Sequence, residues 1–178
     1  MKAVDVVKFW LAAGPERWFT KNPAFDGALA VRFGEALRAA RLGEFDHWGT
    51  SPDGALGLVI LLDQMSRNIH RGTPLAFAAD AKALTLAKTW IAQGYHQKLA
   101  APYAMWFLMP LEHAEDLDAQ HRCVALFQTL GMHELVHYAK LHLDIIARFG
   151  RFPHRNSILG RKSTGVEIAF LAAGGFSG

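Results

Sequence analysis

A single cysteine, Cys123, leaves no internal disulfide and no cysteine-rich zinc site, which suits a reducing compartment. Runs of five or six like charges are missing too. With 19 Lys and Arg against 16 Asp and Glu, the net charge is only +3, and the chain carries no nucleic-acid footprint. The longest uninterrupted apolar run, Ala55 to Leu62, is far short of a membrane span. The opening residues interleave Lys2, Asp5 and Lys8 with apolar ones rather than forming the apolar core of a signal peptide. No Walker loop, dinucleotide-binding glycine pattern or activated serine or cysteine is present, so no cofactor is expected. The expectation is a cytoplasmic protein with neither a membrane nor a nucleic acid as partner.

The chain does have apolar residues at helical spacing. Half of its 178 residues are hydrophobic (51%), enough for one compact core over residues 1–178. Ser51 and Pro52 read as the cap and first turn of a helix that continues from Ala55 to Ile69. Comparable patterns cover Phe25 to Arg41, Pro74 to Gln93, Glu115 to Leu130, Met132 to Phe149 and Thr164 to Ala173. Gly43, Gly72, Gly94, Gly131 and Gly150 fall near the ends of these segments, where a left-handed stop favours glycine. No stretch sustains the period-two alternation of a strand. An all-α fold of about eight helices follows, arranged as stacked antiparallel hairpins, with residues 173–178 as a frayed glycine-rich tail.

His133-Glu134-Leu135-Val136-His137 matches the HExxH pattern of zinc proteases, yet its helix argues against metal. At about 100° per residue, His133, His137, Lys140, Asp144 and Arg148 form one polar stripe. Leu135, Tyr138, Ala139, Leu143, Ile145, Ile146 and Phe149 take the opposite side. Both histidines therefore face water, the metzincin continuation is absent, Glu167 is the one remote candidate for a third ligand, and no metal site is expected. His142 falls instead in the middle of the apolar face, where an imidazole needs partners.

Three clusters concentrate polar groups where a core is expected. Asp63, Gln64, Arg67 and Asn68 interrupt an otherwise apolar helix, with Asp63 and Arg67 as neighbours at i,i+4. His113, Glu115 and Asp116 stand at a helix start, where acids complement the dipole and cap free amides. The third is Phe149-Gly150-Arg151-Phe152-Pro153-His154-Arg155-Asn156 followed by Leu159-Gly160-Arg161, whose phenylalanines press its cations onto a core. Burying so many polar groups is tolerable only if they meet, which predicts that Asp63 meets Arg151, His154 or Arg155 and that His113 and His142 border the same cavity.

These segments, with Leu62-Asp63-Gln64-Met65-Ser66-Arg67-Asn68, His113-Ala114-Glu115 and His142, resemble the signature segments of a bacterial family, domain of unknown function 924. The likeness runs from Trp18-Phe19 and Phe25-Asp26 to Glu167 and Phe170-Leu171. It implies an all-helical fold like tetratricopeptide repeats and no established activity. Met65 and Ala114 stand where the family more often has phenylalanine and serine, while the charged positions match.

Two functional readings follow. In the first, Arg67, Arg151, Arg155 and Arg161, with Gln64, Asn68 and Asn156, bind a small anionic molecule. His113, His142 or His154 with Asp63 or Glu115 would then move a proton. In the second, a helical-repeat scaffold binds a protein partner through Trp10, Trp18, Trp48, Trp90 and Trp106, and the polar clusters are purely structural.

Overall fold

A computed structural model describes residues 1–176, and among these no strand occurs. The helices are α1 (Ala3–Ala13), α2 (Pro15–Trp18), α3 (Pro23–Arg41), α4 (Pro52–Val59), α5 (Ser66–Ile69), α6 (Asp80–Ala92), α7 (Ala101–Glu112), α8 (Leu117–Thr129), α9 (His133–Phe149) and α10 (Gly165–Ala172). Leaving aside the four-residue α2 and α5, eight remain among the described residues, the number expected, with α1 and α7 lying outside the six segments that periodicity marks. No described helix is long and apolar enough to cross a membrane.

The local signals explain most of the boundaries. Asn22, Ser51, Asp116 and Thr164 each accept a hydrogen bond from a first-turn amide, capping α3, α4, α8 and α10. The five glycines expected at helix ends all take positive φ: Gly43 91°, Gly72 76°, Gly94 73°, Gly131 67° and Gly150 69°.

Chain contacts group the residues into two compact units, residues 1–71 with 75–110 and residues 72–74 with 111 onward. In the first, α1 lies directly on α4. A Cβ on Gly57 would stand 2.8 Å from the Ala3 carbonyl oxygen, so only glycine permits this approach. Trp10, Leu29, Phe33, Leu58, Leu61 and Trp106 are fully buried in this unit. In the second unit, α8 and α9 form a hairpin around Cys123, Phe127, Ile145 and Ile146, and Phe152 is buried against that hairpin.

Three departures from the sequence pattern have physical causes. The helix expected from Pro74 to Gln93 is a 3-10 turn (Pro74–Phe77) followed by α6. Arg41 Nη2 donates to the Leu75 carbonyl at 2.6 Å and Ser66 Oγ to that of Ala76 at 3.2 Å, claiming acceptors that an unbroken helix would use. Between α4 and α5 the chain widens into a π-helix over Ile60–Met65, which a uniform 100° step cannot foresee. The tail expected to fray from Ala173 is held as far as Phe176, which packs beside Ile145, Ile146 and Phe152; Ser177 and Gly178 lie outside the described residues.

Candidate functional site

The polar interruption of the first unit is a set of closed pairs. The π-helix buries Asp63 (0% exposed) and Gln64 (5%), and Gln64 Nε2 donates to Asp63 Oδ2. Arg67 Nη1 lies 3.1 Å from Asp63 Oδ1, the i,i+4 partner expected. The same guanidinium grips Asp80 with two bonds of 3.0 and 2.9 Å. Burial by itself would loosen the Arg67 proton; the charges of Asp63 and Asp80 outweigh it and raise its affinity. Asn68 does not pair with Gln64. It donates to Asp26 Oδ1 at 2.8 Å, and Arg71 Nε reaches Asp26 Oδ2 at 2.6 Å. Those bonds overcome the burial of Asp26 and hold its carboxyl below the usual range. Asp26 and Asp80 supply charge balance that spacing along one helix could not reveal.

In the second unit two carboxylates pin the Phe149 to Arg161 segment. Glu115 does not cap α8; Asp116 does, accepting from the Ala119 amide at 3.0 Å. Glu115 turns to the segment, accepting from the Phe152 amide (2.8 Å) and from Arg161 Nη1 and Nη2 (2.6 and 2.9 Å). Burial opposes these donors, and the donors win: its carboxyl lies below the usual range. Arg161 Nε donates to Asn156 Oδ1 at 3.0 Å, fixing the turn between them. Glu167, which also closes the capping box of α10, holds Arg151 through bonds of 2.7 and 2.9 Å. The Arg151 bonds, then the Thr164 amide, bring the Glu167 carboxyl down to about 2.

Pinned this way, the segment delivers rings and imidazoles to α9. His142 is buried at 7% exposure, as its place on the apolar face requires. Its Nδ1 lies 2.9 Å from the Tyr138 carbonyl oxygen and 3.3 Å from Glu112 Oε1, so the Nδ1 proton has two acceptors. Phe152 and Phe176 meet the His142 ring at 5.4 and 4.7 Å, and the same two phenylalanines meet His154 at 5.6 and 5.3 Å. The Arg155 guanidinium lies 4.3 Å above the Phe152 ring. Burial, then the charge of Arg155, lowers the His154 pKa to about 4. Its Nδ1 is enclosed and has no hydrogen-bond partner among the described residues. Glu112, buried at 4%, is a member of this cluster that the sequence did not single out.

His113 is half-buried in the turn after α7. Asp63, Gln64, Arg67 and Asn68 belong to the first unit, and His113, Glu115, His142, Arg151, His154, Arg155, Asn156 and Arg161 to the second.

The HExxH residues lie elsewhere. His133, Glu134 and His137 are exposed, beside an open surface hollow of about 490 Å³ lined by residues 131–135. Tyr138, expected on the apolar side, is 53% exposed at its edge. Cys123 is fully buried, and burial, then the Glu112 charge, pushes its thiol up, which suits packing rather than nucleophilic attack. Trp10, Trp48, Trp90 and Trp106 are buried at 8% exposure or less, which removes four of the five tryptophans as partner anchors.

A model of the family described as bacterial protein of unknown function (DUF924) matches residues 6–175. The chain belongs to this family. A similar solved structure is that of the protein of unknown function ATU0120 from Agrobacterium tumefaciens. It is 43% identical, superposes with a TM-score of 0.92, and the match covers 96% of this chain and 97% of that one. No curated protein matches the chain.

Proposed function

We propose that the second unit binds a small molecule carrying a negative group, at an acid/base site formed by His142 and His154 and framed by Glu115, Arg151, Arg155, Asn156 and Arg161. The observation that carries this reading is His154. A buried polar atom ordinarily has a partner, and His154 Nδ1 has none among the described residues. With its pKa at about 4 the ring is neutral at pH 7, ready to exchange a hydrogen bond or a proton with a ligand. His142, its proton directed to Tyr138 and Glu112, supplies the second imidazole.

The arginines divide by role. Arg151 and Arg161 each hold a carboxylate with two bonds, so a ligand anion engages either only by displacing Glu167 or Glu115. They keep the segment in place, and the charge of Arg155, next to His154 in the chain, acts on that imidazole. The Asp63 cluster is scaffold in this reading. A tetratricopeptide-like interaction surface receives less support, because four tryptophans are core.

Histidine resonances followed by nuclear magnetic resonance test the proposal. Acetate or inorganic phosphate is expected to shift His142 and His154 at concentrations that leave exposed His137 unmoved, and His154→Gln is expected to abolish the response at His142. Shifts that appear only together with those of His137 would overturn the site.

A further inference from the structure

Phe176 stands among four rings with a regular relation to both imidazoles. It meets His142 at 4.7 Å and 64°, and His154 at 5.3 Å and 75°. Phe152 closes the group, edge-on to His142 at 73° and tilted 44° to His154. Edge-to-face contacts of this kind suit a flat ring with a negative face. Phe176 is half-buried, and the backbone that carries it is a short turn past the end of α10. There the Gly174 amide donates to the Leu171 carbonyl (3.2 Å) and the Gly175 amide to that of Phe170 (3.0 Å). Gly174 takes φ 79°, and a Cβ on Gly175 would fall 2.6 Å from both the Phe170 ring and its carbonyl oxygen. The fold thus places two adjacent glycines where they return one aromatic side chain to the imidazole pair, on a tether that two backbone bonds hold.

We propose that Phe176 is a tethered occupant of the ligand's place, and that the ligand of the His142–His154 site carries a planar aromatic ring beside its negative group. This rests on the small-molecule reading above and adds the ligand's chemical class and its means of control. Entry requires the Gly174-Gly175 turn to swing Phe176 away, so apparent affinity is reduced by the fraction of time the place is filled.

Benzoate and cyclohexanecarboxylate, of equal charge and differing in planarity, are the probes, read by the His142 and His154 resonances of the full chain. For benzoate, Phe176→Ala is expected to lower the half-saturating concentration about tenfold, the factor that corresponds to a place open about a tenth of the time. Cyclohexanecarboxylate is expected to gain less from the same change. Phe176→Leu keeps an apolar anchor on Ile145 and Ile146 should alanine loosen the end of α10, and the same direction of change is expected. Equal half-saturation in the wild-type protein and both variants would overturn the tethered occupant while leaving the site. An equal gain for both probes would overturn the planar ring. Absence of any response at His142 and His154, in wild type and variants that remain folded, would overturn the site itself and this inference with it.

Discussion

The two units use the same bond for different ends. In the first, bidentate arginine pairs tie α5 and the turn after it to neighbouring helices, Arg67 to Asp80 and Arg71 to Asp26, and every group in the cluster meets another of opposite character. In the second, the pairs Arg161–Glu115 and Arg151–Glu167 straddle an irregular segment and hold it by both flanks. The first arrangement consumes its polar groups. The second leaves His154 Nδ1 enclosed without a partner among the described residues, beside a second imidazole. A charged cluster therefore indicates a site less by its number of arginines than by what remains after the carboxylates are matched.

The largest effect that sharpens this contrast is Asp63→Ala. It removes a fully buried carboxylate from Gln64 and Arg67, and urea unfolding is expected to show a loss of about 3 to 5 kcal/mol. A loss below about 1 kcal/mol would mean that the pocket around Asp63 is wet, and would erase the difference between the units.

Next comes the acid response of the second unit. The His154 pKa is lowered from 6.5 to about 4 in the fold, so between those values the unfolded chain binds a proton that the folded chain does not. Stability must then fall as pH drops from about 6.5 to about 4 and stay level, for this group, below that. The loss is on the order of 3 kcal/mol, and unfolding curves of His154→Gln should lack it. A His154 resonance titrating near its ordinary 6.5 would contradict the burial argument.

Glu115→Ala tests the pin. Its partner Arg161 is a quarter exposed, so the ion pair itself contributes little, while the Phe152 amide loses its acceptor. The expected loss is about 2 kcal/mol, smaller than for Asp63, accompanied by a change in the His154 environment. The smallest effect belongs to the HExxH helix. His137→Ala should change stability by less than about 0.5 kcal/mol, and added zinc should leave the melting temperature of wild type and variant alike unchanged.

The polar stripe of α9 and the burial of His142 are legible in the sequence because a regular helix repeats every 3.6 residues, and α9 is regular. The π-helix at Ile60–Met65 is not legible there, because a uniform 100° step carries no signal for the widening. Capping accounts for Glu115 and Asp116 alike, since both precede α8, and only the candidate acid/base role sets Glu115 apart along the chain. Only the return of the Phe152 amide and Arg161 draws Glu115 away. Asp26, which the family likeness includes, and Asp80 carry no mark of their pairing for the same reason, each lying in an ordinary helical pattern on a different element from its partner.

Helices, their caps and their glycine stops are short-range matters of backbone sterics and hydrogen bonding, and the sequence by itself determined them here. It also determined which residues had to be paired, because an arginine or aspartate among phenylalanines and leucines has no other stable state. The choice of partner belonged to the tertiary structure. Partner choice depends on which carboxylate arrives within about 3 Å once the helices are packed, and that distance exists only in the folded chain. The same packing left His154 Nδ1 without a partner among the described residues and set Phe176 against the two imidazoles, and no pattern along the chain encodes either.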